Sequence, residues 1–262
     1  FSYRRGRQKE ETAVSEHITS RDNPRIRRVC RLMDSKRTRE KEGLFCCEGE
    51  KLLGEALAAG VEVVQVFLSR DLPLEQQRDR GVPTFLVPPS LMAQMSGVES
   101  PQGVLFVCRI PAPRKDLPEG ACLVLEDVRD PGNVGTILRT AEAFSLPVVL
   151  TGNCAELYNP KVVRSTMGSV FRCKVFRLSR LELWQALEER NIPLYAAALR
   201  ESAQDIRQVD LKGAAVAIGN EAHGVSAELL EHSRGQVIIP IQGAESLNAG
   251  VAAALCMWEM RR

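Results

Sequence analysis

A chain of 262 residues, 44% of them hydrophobic, is comfortable for two domains and long enough to bury real cores. No apolar run approaches the roughly 18 residues that span a bilayer, so no membrane partner is expected. The start is polar and basic with no secretory signal, and it begins at Phe1 rather than Met, so residues upstream are expected. The net charge is only +2 but unevenly spread. Between Asn23 and Lys41 eight basic residues face two acidic ones, a local +6 that leaves −4 for the remainder. Such a block reads either as a solvated helix face or as one face for a polyanion.

In chain order, residues 1–16 read as a flexible tail. Asn23-Pro24 sets up a helix, with Asn as N-cap and Pro at the first position, that turns Ile26, Val29, Leu32 and Met33 inward and its arginines outward. A short strand over 43–49 precedes a helix over 50–59 that Gly60 stops. Strands at 61–68, 83–87 and 103–110 and a helix at 89–95 complete a small α/β domain over 17–110. The proline-rich stretch 111–120 reads as a linker.

From residue 121 onward strand and helix alternate. Strands are expected at 121–127, 147–151, 171–177, 193–198, 214–218 and 236–239, with helices at 133–144, 160–168, 180–190, 225–232 and 247–261. That alternation predicts a mostly parallel sheet covered on both sides. Three polar loops follow three of its strands: Asp130-Pro131-Gly132-Asn133-Val134-Gly135, Gly219-Asn220-Glu221-Ala222-His223-Gly224, and Gln242-Gly243-Ala244-Glu245-Ser246-Leu247-Asn248. Each offers glycine for close backbone approach to a ligand beside an amide, acid or hydroxyl, and all three belong at the C-terminal edge of the sheet. On position alone Arg139 reads as solvated or as a partner for Glu142.

Several chemistries are disfavoured. There is no G-x-G-x-x-G after a strand, no G-x-x-x-x-G-K-[ST] and no G-x-S-x-G, which argues against an ordinary dinucleotide fold, a phosphate-loop nucleotidase and a serine hydrolase. The eight cysteines form no C-x-x-C, and the three histidines are far from any cysteine pair, so no metal site is expected. Cysteines in apolar runs suit reduced core thiols and a cytoplasmic location; Cys46-Cys47 reads as buried structural thiols ahead of a redox pair.

The three loop motifs, in order, resemble those of the SpoU (TrmH-type) RNA ribose 2′-O-methyltransferases of the SPOUT superfamily: DPGNVGTILRTAEAF, AIGNEAHGVS and IPIQGAESLNAGVAAAL. The segment Asn159 to Gly168 is also similar to the family's intermotif stretch, and NPRIRR…KEGLFCCEGEKLLGEAL resembles its ribosomal-protein-like RNA-binding domain. The resemblance covers Ile18 to the C-terminus. It implies a parallel-sheet domain with a deep trefoil knot, S-adenosylmethionine (SAM) as cofactor, and a homodimer that shares its RNA site between subunits.

By motif position, the resemblance implies that Leu199, Gly219, Ile239 and Leu247 bind SAM and that Asn133, Arg139, Glu221, Ser246 and Asn248 form the catalytic group. His223 has no counterpart in the motif. The implied reaction is in-line attack of a ribose 2′-oxygen on the sulfonium methyl. Two roles stand open for Arg139: a general base, against an ordinary guanidinium pKa above about 12, or a cation that positions a phosphate while a neighbour or water takes the proton. Ser246 and Asn248 are expected to hydrogen-bond the ribose or Arg139, and Glu221 to orient Arg139 through a charge-assisted pair. Arg25, Arg27, Arg28, Lys36, Arg37 and Arg39 are expected to hold RNA phosphates. The two-domain build favours 23S ribosomal RNA as substrate; transfer RNA and a catalytically inactive RNA-binding protein are the alternatives.

Overall fold

A computed structural model describes residues 16–71, 82–114, 120–200, 202–243 and 245–262. The expected tail lies outside the described residues apart from Glu16, as does the middle of the expected linker, residues 115–119. The chain divides into two compact units, Phe1–Arg109 and Ile110–Arg262.

The first unit is a five-stranded mixed sheet. Its strands are β1 (Glu16–His17), β2 (Leu44–Glu48), β3 (Val63–Ser69), β4 (Thr84–Val87) and β5 (Val104–Arg109), in the order β1-β4-β3-β5-β2. Helices α1 (Pro24–Asp34), α2 (Lys36–Glu42), α3 (Glu50–Ala58) and α4 (Pro89–Met95) complete it. Asn23 caps α1 through its side chain and Pro24 opens it. Ile26, Val29 and Leu32 pack from α1 onto Phe67, Phe85, Leu105 and Val107 of the sheet. The basic block is two helices rather than one, because Ser35 ends α1 in an extended conformation and caps α2 by accepting from the Thr38 amide at 3.2 Å. Cys46 and Cys47 are adjacent on β2 and therefore face opposite sides of the sheet, and both are buried. Burial pushes both thiols well up, which leaves them as core side chains.

Within the basic block the expected phosphate-holding residues have different environments. Arg25 lies over the Phe85 ring and pairs with Glu16, Arg27 pairs with Asp22, Arg28 with Glu42 and Lys36 with Glu40, all at or near the surface. Arg37 is exposed. Arg39 corrects the expectation. It is only 2% exposed, and its Nη1 donates to the Leu32 and Met33 carbonyls at 2.5 and 3.0 Å. Those carbonyls belong to the last turn of α1, which has no intrahelical donors for them. Arg39 is therefore a buried C-terminal cap for α1 and has no face to offer a phosphate.

The second unit carries a seven-stranded sheet, every pairing of which is parallel. Its strands are β6 (Cys122–Glu126), β7 (Val148–Thr151), β8 (Val175–Arg177), β9 (Leu194–Ala197), β10 (Gln204–Asp205), β11 (Ala215–Ile218) and β12 (Gly235–Ile238), in the order β10-β12-β9-β11-β6-β7-β8. Its helices are α5 (Pro131–Ala143), α6 (Pro160–Ser165), α7 (Arg180–Glu189), α8 (Ala227–His232) and α9 (Ala249–Arg261). Strand periodicity of two splits the core between two faces. Leu123, Leu125, Val216 and Ile218 meet Val134, Ile137, Leu138 and Ala141 of α5 and Ala253, Cys256 and Met257 of α9. Cys122, Val124, Ala215 and Ala217 meet Leu183 and Leu187 of α7 and Leu229 of α8.

Of the expected strand at 171–177 only Val175–Arg177 is strand, and Phe171 ends a single 3-10 turn that begins at Ser169; the edge strand β10 has only two residues and no periodicity to reveal it. Among the described residues no helix is long and apolar enough to cross a membrane.

Arg39→Ala strips one buried and one part-buried carbonyl of their donor and opens a void, so urea unfolding should show a loss of about 3 kcal/mol. Arg37→Ala should move stability by less than about 0.5 kcal/mol while weakening RNA binding and lowering its salt slope by about one.

Candidate active site

The three polar loops follow β6, β11 and β12, and side chains join them at the C-terminal edge of the sheet. The first is shaped by its helix start: Asp130 caps α5 by accepting from the Asn133 amide at 2.7 Å, with Pro131 at the first helical position. This buries Asn133. The second loop folds back on itself. The backbones of Asn220 and Gly224 exchange hydrogen bonds at 2.9 and 2.8 Å, and the Asn220 side chain donates to the Asp127 carbonyl at 2.9 Å. The third loop ends at Asn248, whose Oδ1 caps α9 by accepting from the Gly250 and Val251 amides.

The polarity of the chain that links them is forced. An ionised Glu221 can only accept, so the Asn133 carboxamide turns its nitrogen toward it, and Asn133 Nδ2 donates to Glu221 Oε1 at 3.0 Å. That leaves Asn133 Oδ1 to accept from Asn248 Nδ2 at 2.8 Å. Asn248 Oδ1 is then turned to the helix amides. A directed run thus passes from the N-terminus of α9 through Asn248 and Asn133 to Glu221. The Arg129 and Asp130 amides also donate to Glu221 at 3.4 and 3.3 Å. Burial pushes the Glu221 carboxyl upward, but the hydrogen bonds from Asn133 and these backbone amides outweigh it and hold the pKa below its ordinary 4.5.

Glu221 therefore engages Asn133, not Arg139, which replaces the expected ion pair. Arg139 is exposed on α5 and, among the described residues, makes no hydrogen bond or ion pair. Glu142, its other expected partner, pairs with Arg172. Ser246 is exposed two residues before Asn248. Leu199, just beyond β9, is 58% exposed, an unusual state for a leucine at a strand end. Ile239 and Leu247, at either end of the third loop, are half-buried, and Ile239 packs against the α5–α9 core.

Two motif glycines are required by protein contacts rather than by ligand approach alone. A Cβ on Gly219 would lie 2.1 Å from the Gly224 carbonyl carbon, so the second loop cannot close over any larger residue. A Cβ on Gly135 would lie 2.2 Å from the Ser165 Cβ, where α5 meets α6. The sequence reading missed a further group. Glu126 is only 1% exposed, accepts from the Ser226 amide and hydroxyl at 2.8 and 2.7 Å, and binds Arg180 Nε at 2.8 Å. The available signal was an acid closing a wholly apolar strand. Among the described residues no cluster of three or more His, Cys, Asp or Glu could hold a metal.

A parallel α/β sheet with polar loops converging at its C-terminal edge defines a ligand-binding enzyme domain, and comparison with known proteins specifies the class. The SpoU rRNA Methylase family model matches residues 120–258, and an MRM3-like substrate binding domain model matches residues 23–105. The chain belongs to the SpoU rRNA methylase family. It is 32% identical to the 23S rRNA (guanosine(2553)-2′-O)-methyltransferase RlmP of Bacillus subtilis over 87% of this chain and 93% of that one. It is 38% identical to the tRNA (guanosine(18)-2′-O)-methyltransferase of Thermus thermophilus, over 53% of this chain and 73% of that one. The crystal structure of an AdoMet-bound rRNA methyltransferase from Sinorhizobium meliloti superposes with a TM-score of 0.84 at 28% identity, covering 94% of this chain and 97% of that one.

If Glu221 is held ionised by these donors, its contribution to stability is complete above the ordinary pKa of 4.5 and is lost as pH falls through the lower folded value. Urea unfolding of the wild type and Glu221→Gln should differ by a constant amount from pH 7 down to about 4.5, and the gap should close below that.

Proposed function

We propose that the protein methylates a ribose 2′-hydroxyl of 23S ribosomal RNA, using SAM as methyl donor. The observation that carries this reading is the Asn248–Asn133–Glu221 run that ties three loops together on a chain with an uncommitted Arg139. The ribosomal substrate is supported by the Bacillus relative, which matches 87% of this chain, whereas the tRNA enzyme matches 53%. Residues 17–110 are proposed as the RNA substrate-binding domain, 111–120 as the linker and 121–262 as the methyltransferase domain. The trefoil knot is proposed for the last of these. It is supported by β12 lying between β9 and β10 and by α9 packing back onto the α5 face of the sheet.

The residues present fit SAM. Exposed Leu199 and half-buried Ile239, just past the ends of the neighbouring strands β9 and β12, with half-buried Leu247 at the far end of the third loop, supply an apolar surface for an adenine. Gly219 adds backbone with no side chain at the end of β11. When bound, SAM supplies the activated methyl group.

The chain's own residues do the rest. Asn133 and Asn248, each with a second amide N–H beyond the hydrogen bond it donates, orient the ribose oxygens, and Ser246 adds a hydroxyl. Arg139 holds a phosphate of the target nucleotide, and water or a neighbouring group takes the 2′-hydroxyl proton. Glu221 fixes the amide orientation.

The working unit is proposed as a homodimer. Val251, Leu255 and Trp258 are exposed at helical spacing on α9, with Trp258 edge-on to Phe144. A contiguous apolar stripe of this kind suits a second copy of the same helix.

Wild-type protein should transfer label from SAM to the ribose of unmodified bacterial ribosomal RNA, and Arg139→Ala should lower the rate by about a hundredfold or more with SAM affinity retained. Label found only on transfer RNA would change the substrate, and label on a base would overturn the reaction. Leu255→Arg should convert a dimer to a monomer by analytical ultracentrifugation; an unchanged sedimentation coefficient would rule out α9 as the interface.

A further inference from the structure

We infer that Glu126 and Arg180 are positioning residues for the methyl-transfer reaction. They anchor the loop that carries Glu221 and so hold the Glu221–Asn133–Asn248 run in register. The inference rests on the catalytic reading of that run.

The loop from Gly219 to Ser226 is tied to the end of β6 at both of its ends. At its start, Asn220 donates to the Asp127 carbonyl at 2.9 Å. At its finish, the Ser226 amide and hydroxyl both donate to the Glu126 carboxylate. Between the two ties, Glu221 reaches the Arg129 and Asp130 amides and Asn133. Glu126 faces the α7–α8 side of the sheet, away from the reacting groups, so it cannot touch substrate. It acts through Ser226, which also caps α8.

A carboxylate this buried requires a countercharge. Arg180, at the first position of α7, supplies it and extends the clamp. Its Nε binds Glu126 at 2.8 Å, its Nη2 binds Asp127 at 3.2 Å, and Glu228 of α8 lies 3.7 Å away. Asp127 itself sits at φ +55°, a left-handed conformation uncommon outside glycine that Asp tolerates better than most residues. The Asn153 amide and Arg180 on its carboxylate, with Asn220 on its carbonyl, hold it there. One guanidinium thus holds the strand end from which the first loop departs and the acid to which the second loop is pinned. With three carboxylates around it, Arg180 is neutralised and is an anchor rather than a site for an RNA phosphate.

The test is steady-state methyl transfer to RNA by full-length Glu126→Gln, Arg180→Gln and Arg180→Lys, with Glu221→Gln alone and combined with Arg180→Gln. Arg180 is partly exposed, so its variants keep the test open if Glu126→Gln fails to fold. The Gln variants should lower kcat by about tenfold with KM for RNA moved less than about twofold, and Arg180→Lys should recover most of the loss. On a Glu221→Gln background, adding Arg180→Gln should change kcat by less than about twofold, because the element it positions is already gone. Unchanged kcat in Arg180→Gln, or losses that multiply in the double variant, would overturn the anchoring role alone. Unchanged kcat in Glu221→Gln would overturn both that role and the catalytic reading beneath it.

Discussion

The second unit's chemistry depends on one buried carboxamide. Asn133 has a donor end and an acceptor end and only one arrangement that satisfies both, with Glu221 before it and Asn248 after it. A buried amide left unpaired costs on the order of 1–3 kcal/mol, so the alternative orientations are suppressed without any further device. Because the three residues come from loops behind three strands, satisfying one amide fixes the relative position of all three loops. Preorganisation here follows from counting donors and acceptors, and needs no long-range electrostatics.

Much of this was legible in the amino acids. The Asn23-Pro24 cap is a local signal, and local signals survive folding; the Asp130-Pro131 start of α5, by contrast, read as part of a loop, with the helix expected only from 133. The inference that three glycine-and-amide loops share one sheet edge also survived, because parallel strand order follows from alternation. What could not be read was direction. Arg39 shares its sequence character with Arg37 two positions away, yet one is buried under α1 and the other exposed; Ser35 interrupts the helix and sets the difference. Glu221 was assigned to Arg139 because opposite charges invite pairing, whereas the fold offers it an amide and two backbone N–H groups instead. Gly135 reads as a ligand-approach glycine, but Ser165 in α6 is what crowds it. For Glu221 and Gly135 the deciding neighbour is distant in sequence, and for Arg39 it is the break at Ser35 that folds α2 back under the end of α1; periodicity encodes neither.

The two faces of the parallel sheet divide the labour. The face with α5 and α9 holds Asn133 and Asn248, and the same α9 carries the exposed Val251, Leu255 and Trp258. The opposite face, with α7 and α8, holds the ionic supports Glu126 and Arg180. The Asn248 side chain both starts α9 and bonds Asn133, so any association that moves this helix along its axis pulls directly on the catalytic amide.

The closed second loop has a corollary for how such an enzyme can change. Its base is immovable: Gly219 abuts Gly224, Asn220 is bonded on three sides, and Glu221 is committed. Only Ala222 and His223 are left, with their backbone amides held by Asn220 and their side chains exposed. Those two residues form an interchangeable tip on a rigid stem. New surface chemistry can be tried there, one side chain at a time, without retuning the reaction below.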